Sequence, residues 1–187
     1  MLYSKKRSKG FSIIELLIAI GFIAVIVAIG GTISSEFFLR RSVDNITYQI
    51  GSLLNLVKLQ AVRQGLEYQI TINYDDDEKM ITLTNERGDS NKNSTIYQTT
   101  SSNRLSIPND YILTLPRGRD VHSFNFNPNG TLGGASGSIT IRPLSLASRT
   151  NKCGRIVISP FGRIRTVIGR WNFGSNNCRG IGDRQER

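Results

Sequence analysis

The chain has 187 residues, with 24 Lys or Arg against 14 Asp or Glu, a formal charge of +10, two cysteines and a single histidine. One histidine and no closely spaced cysteine pair argue against a zinc-type centre. No Ser/His/Asp or Cys/His set, phosphate-cradling loop or apolar carboxylate pair points to catalysis, so the expectation is a protein that is not an enzyme and needs no cofactor, with an excess of positive charge suited to anionic partners.

Lys5, Lys6, Arg7 and Lys9 precede an apolar run whose one charge is Glu15, and residues 16–35 carry no charge at all. Twenty such residues are about what an α-helix needs to cross a bilayer. The basic end then belongs on the cytoplasmic side and the rest of the chain outside. A cleaved secretory signal would have a shorter apolar region with a small-residue cleavage site after it, and this stretch has neither. A carboxylate at mid-bilayer costs on the order of 3 kcal/mol. Glu15 is therefore read either as paired with a cation or as reaching water at the interface.

Beyond the apolar run, Ile33, Phe37, Val43, Ile46, Ile50, Leu53, Leu54, Val57 and Ala61 mostly recur at spacings of three and four, which predicts an amphipathic helix to about Gln64, capped by Gly65. From residue 11 such a helix would be on the order of 80 Å long. After Gly65 the period becomes two. Segments 68–74 and 80–84 alternate around the acidic turn Asp75-Asp76-Asp77-Glu78 and predict a hairpin. That turn has neither the glycine nor the distal Glu of a calcium loop, and it is read as solvated. Residues 85–104 are polar and are expected to form a loop with a short strand at 95–98. Further strands are predicted at 111–115, 121–126, 138–141, 154–158 and 164–168, with a turn at Asn127-Pro128-Asn129-Gly130. His122 falls in one of these strands and is read as a sheet residue. A helix followed by an antiparallel sheet makes the class α+β, with about 130 residues in one globular domain.

The charge is unevenly placed. From Val121 to Gly182 there is no Asp or Glu, but there are Arg142, Arg149, Lys152, Arg155, Arg163, Arg165, Arg170 and Arg179. Arginine favours planar, bidentate contact with phosphate over the point charge of lysine. In Ser159-Pro160-Phe161-Gly162-Arg163-Ile164-Arg165 the two arginines are two residues apart and share a face if extended. Phe161, Trp171 and Phe173 are interleaved with them, a composition suited to a nucleic-acid backbone. Cys153 and Cys178 lie in the part expected outside the membrane, where a disulfide is the default. A loop of that size gives roughly 3–4 kcal/mol in the chain-entropy model.

Gly10-Phe11-Ser12-Ile13-Ile14-Glu15-Leu16-Leu17, behind a basic leader, resembles the type IV prepilins and the pseudopilins of type II secretion. Segments 53–65 and 124–130 are similar to the GspH/FimT group of minor pilins and pseudopilins. The resemblance implies a type IV pilin-like fold, with a long N-terminal helix packed on an antiparallel sheet. It implies a leader at 1–10, cleavage between Gly10 and Phe11 by a prepilin peptidase, and N-methylation of Phe11. Residues 11–35 would then form a transmembrane and filament-core helix, with Glu15 neutralising a neighbouring subunit's terminal amine. Residues 36–187 would form the periplasmic or extracellular domain, basic from 142 onward. The protein would sit in the inner membrane before assembly and on a cell-surface pilus afterwards, with other major and minor pilins as partners.

Gly162-Arg163-Ile164-Arg165 also matches the Gly-Arg-x-Arg element of FimT-type minor pilins, which implies that Arg163 and Arg165 contact double-stranded DNA during natural transformation. Charge and proximity add Lys152, Arg155, Arg170 and Arg179. The other reading is a pseudopilin of a type II secretion system, or a pilus-priming subunit, whose cations pair with acidic surfaces on other subunits or with anionic lipid.

Overall fold

The computed structural model describes residues 12–134, 136–146, 148 and 150–180, the side chains of 28–36 excepted. The leader with Gly10 and Phe11 lies outside the described residues, as do residues 181–187 at the end of the basic region. The chain divides into two compact units, Met1–Phe38 and Leu39–Arg187.

Helix α1 is assigned to Ile13–Gln64 and so contributes to both units. In the first unit its described apolar side chains face outward, from Ile13 to Val27, and Glu15 is exposed among them. Among the described residues no helix is long and apolar enough to cross a membrane. The span expected at 11–35 includes side chains outside the described set.

In the second unit the period of α1 becomes a packing interface. Val43, Ile46, Ile50, Leu54, Val57 and Ala61 are all buried and join one core cluster. Burying six apolar side chains contributes on the order of 10 kcal/mol before conformational entropy is charged against it. The helix ends where the Gly65 N–H donates to the Ala61 carbonyl at 3.1 Å, with Arg63 in the last turn.

The strands form two antiparallel sheets, where a single sheet was expected. The first has the order β3-β2-β1-β5, from β1 (Tyr68–Asp75), β2 (Met80–Gly88), β3 (Tyr97–Ser106) and β5 (Val121–Phe126). The second has the order β4-β6-β7-β8-β9, from β4 (Tyr111–Thr114), β6 (Gly137–Pro143), β7 (Lys152–Ile158), β8 (Ile164–Asn172) and β9 (Asn177–Gly180). The β1–β2 hairpin stands where the alternation placed it, with Tyr68 opposite Arg87 and Asp75 opposite Met80. Its acidic turn is closed by the Asp75 carboxylate, which accepts the N–H groups of Asp77 and Glu78.

Two expectations fail. The stretch 85–104, read as a loop with a short strand at 95–98, holds the end of β2 and most of the ten-residue strand β3, because an edge strand exposed on both faces shows no apolar alternation. Strand β9 was not expected either. It is four residues long and holds one apolar side chain, Cys178.

The second sheet lies close under the helix. Thr47 is fully buried, and its hydroxyl donates to the Val43 carbonyl at 2.6 Å. Directly beneath it is Gly154 of β7, where a Cβ would overlap the Thr47 side chain. One turn further on, Gly51 faces the Thr166 hydroxyl of β8. These contacts fix which face of β7 and β8 meets the helix, and so which arginines face away from it.

Candidate nucleic-acid interface

The Gly-Arg-x-Arg element forms the tip and exit of the β7–β8 hairpin. Gly162 has φ +71° and lies so close to the Gly130 carbonyl that a Cβ could not be accommodated. Left-handed backbone with no room for a side chain leaves glycine alone suited to this position. The hairpin closes on itself through Gly162 N–H to the Ser159 carbonyl (2.9 Å), Ser159 N–H to the Arg163 carbonyl (3.0 Å) and Arg163 N–H to the Ser159 hydroxyl (3.1 Å). Two outside bonds hold it in place. Lys58 of α1 donates to the Gly162 carbonyl at 2.9 Å, and Leu132 N–H donates to the Pro160 carbonyl at 3.0 Å. Arg163 and Arg165 leave this anchored turn exposed, and Phe161 at the tip is 84% exposed.

Strand register sorts the remaining cations. Lys152 pairs with Arg170, and Arg170 with Arg179, so these three form a row across β7, β8 and β9. Directly paired residues share a face, and this is the face that carries Gly154, Ile156 and Ile158 toward the helix. There Lys152 forms an ion pair with Asp44 of α1. Beside it a cleft of about 470 Å³ is lined by Arg40, Ser148, Thr150, Asn151, Lys152 and Arg170.

Arg155 and Arg165 point the other way. Arg155 lies opposite Val167 and Arg165 opposite Val157, which makes the two arginines diagonal neighbours on the outer face. Such neighbours are about 7–8 Å apart, within reach of long side chains. Arg142 extends the diagonal onto β6, because Thr140 is the residue opposite Arg155. The structure thus groups Arg155 and Arg165 with the adjoining Arg163. It separates them from Lys152, Arg170 and Arg179, which correct the expectation of one shared surface.

Sequence reasoning left Arg142 out of the site. Parity was the available signal: positions 152 and 155, or 165 and 170, differ by odd numbers, so within one strand they fall on opposite faces. The disulfide expected between Cys153 and Cys178 is present. Cys153 and Cys178 pack with Trp171 and Phe173 in a small separate cluster on the outer face.

No family model and no curated protein sequence matches the chain. Among solved structures, the type IV minor pilin FimU of Pseudomonas aeruginosa is similar with a TM-score of 0.50 at 17% identity, over 69% of this chain and 90% of that one. The minor pseudopilin EpsH from the type 2 secretion system of Vibrio cholerae gives a TM-score of 0.47 at 13% identity, over 67% and 96% of the two chains. In fold, the chain is type IV pilin-like.

Proposed function

We propose that the chain is a minor pilin that binds double-stranded DNA without sequence preference through the outer face of its second sheet, and so aids DNA uptake in natural transformation. The observation that carries the reading is the anchored hairpin with Arg163 and Arg165 exposed beside Arg155, in a stretch that holds no carboxylate. Phosphate contacts by arginine carry no sequence information, so the binding is general and depends strongly on salt. Phe161 at the hairpin tip supplies an exposed apolar face against which a deoxyribose of the duplex can rest.

In this reading the prepilin peptidase cuts after Gly10, Phe11 is N-methylated, and the apolar part of α1 in the first unit serves as the membrane and filament anchor. Its exposed apolar side chains need a cover. The inner membrane supplies it before assembly, and other pilins supply it in the filament, where Glu15 meets a neighbour's terminal amine. The globular domain stands in the periplasm first and on the cell-surface pilus afterwards.

The test is a titration of a mixed-sequence duplex into the chain held in nonionic detergent, at two salt concentrations. An Arg163→Ala/Arg165→Ala variant should bind at least about tenfold more weakly, with the salt slope reduced by about 2 for two lost phosphate contacts. Equal binding by variant and parent removes these residues from the site.

A second reading, a pseudopilin or priming subunit that binds no DNA, is favoured by the Lys152–Asp44 pair, which spends one basic side chain inside the fold. It expects no duplex affinity and measurable affinity for other pilins through α1.

A further inference from the structure

The outer face of the second sheet carries a depression of about 220 Å³ between β6, β7 and the β8–β9 turn. At about 30 Å³ per water, that is room for one tetrahedral oxyanion with part of its hydration shell. Arg142 and Arg155 flank it, with the hydroxyls of Thr114, Ser138 and Thr140 and the amide of Asn177. Among the described residues no carboxylate lines it.

The hydrogen bonds of the two guanidiniums go to neutral acceptors. Arg142 Nε donates to the Thr114 hydroxyl at 3.3 Å. Arg155 donates to Asn177 Oδ1 at 3.1 Å and to the Ser138 hydroxyl at 3.5 Å. Two like charges are thus diagonal neighbours with no anion between them among the described residues. Two buried donors of side chains that line the depression, Arg155 Nε and Trp171 Nε1, have no acceptor among the described residues. Buried N–H groups without an acceptor are uncommon and costly to leave unmet. The Arg142 guanidinium lies 5.5 Å from the centroid of the Trp171 ring, which fixes its position at the rim.

We propose that this depression is an oxyanion seat that takes one backbone phosphate of the bound duplex, held between Arg142 and Arg155. The proposal rests on the nucleic-acid reading above and makes it more specific: Arg142 joins the contact set, and the duplex runs along the Arg142–Arg155–Arg165 diagonal. Planar guanidiniums offer paired N–H donors that match two oxygens of a phosphate. Neutral hydroxyls around them add bonds without repelling the anion.

The chain has one tryptophan, and it lines the seat. Its emission therefore reports occupancy directly. Inorganic phosphate and a short duplex are each titrated into the full chain in nonionic detergent, with chloride at matched ionic strength as the control. Phosphate should shift Trp171 emission where chloride does not, and the duplex should produce the same response and be competed by phosphate. Arg142→Gln/Arg155→Gln should weaken the phosphate response by about tenfold or more, the loss expected for charged hydrogen bonds. Arg142→Lys/Arg155→Lys keeps the charge and should still lose most of the response, because the planar fork is gone.

Duplex binding that leaves Trp171 emission unmoved and is unchanged in both variants overturns the proposal, while the DNA reading stands. A phosphate response without any duplex binding leaves an oxyanion seat but overturns the duplex as its ligand, together with the reading beneath it. Silence toward both ligands overturns the seat itself.

Discussion

Single residues show where the fold depends on polar bonds. Glu67 is 3% exposed, yet it stands at the junction of α1 and β1. Its carboxylate accepts the Ser94 N–H at 2.8 Å and the Asn125 amide at 3.1 Å, tying the loop before β3 to β5. Burial, followed by the nearby Glu67 charge, pushes the Tyr97 hydroxyl up to about 12. Tyr97 thus remains protonated and accepts a bond from Asn125 at 3.0 Å. His122 was read as a sheet residue, and it lies in β5 with its ring edge-on to Phe124 at 4.6 Å. Burial first, then the charges of Arg119 and Arg117, holds its pKa below the usual 6.5. A histidine kept neutral by folding contributes stability that is complete above its unfolded pKa and is lost as pH falls through that value toward the lower folded one. The urea midpoint should therefore drop between about pH 7.5 and 5.5, and His122→Gln should flatten that part of the slope.

At the scale of elements, legibility follows burial. Strands β1 and β5 alternate because one face of each is buried, and the sequence reveals them almost to their ends. Strand β2 is legible only to Thr84; residues 85–88 fall in the expected loop because the buried positions there are Asn85 and Gly88. Strand β3 has no buried side chain, so nothing in its composition separates it from a loop. The hairpin between β7 and β8 was readable as a turn from Pro160 and Gly162. Its anchoring was not, because Lys58 and Leu132 lie far away in sequence and meet it only through tertiary packing. That anchoring leaves no slack at Gly162. A Gly162→Ala substitution combines a left-handed strain of roughly 1–3 kcal/mol with a clash against the Gly130 carbonyl. It should lower the urea midpoint by an amount equivalent to about 2 kcal/mol or more, and it should weaken duplex binding with Arg163 and Arg165 both intact.

For the whole molecule, the arginine-rich half is a two-sided object. Its acid-free composition was plain from the chain; which side each cation occupies required the pairing of β7 with β8. At physiological ionic strength charge is felt over about 8 Å, so cations on the helix-facing side contribute little to a ligand on the outer side. Arg170→Gln/Arg179→Gln should change duplex affinity by less than about threefold at that salt, against the tenfold expected of the hairpin pair. A comparable loss from both would show the ligand wrapping the sheet edge.

The sulfur bridge acts on this same half of the molecule. Cys153 belongs to β7, the middle strand of five, and Cys178 to β9 at the margin, so the covalent link vaults over β8. Tension applied beyond residue 180 therefore cannot unzip the outermost strand rung by rung. The load passes at Cys178 straight to the centre of the sheet.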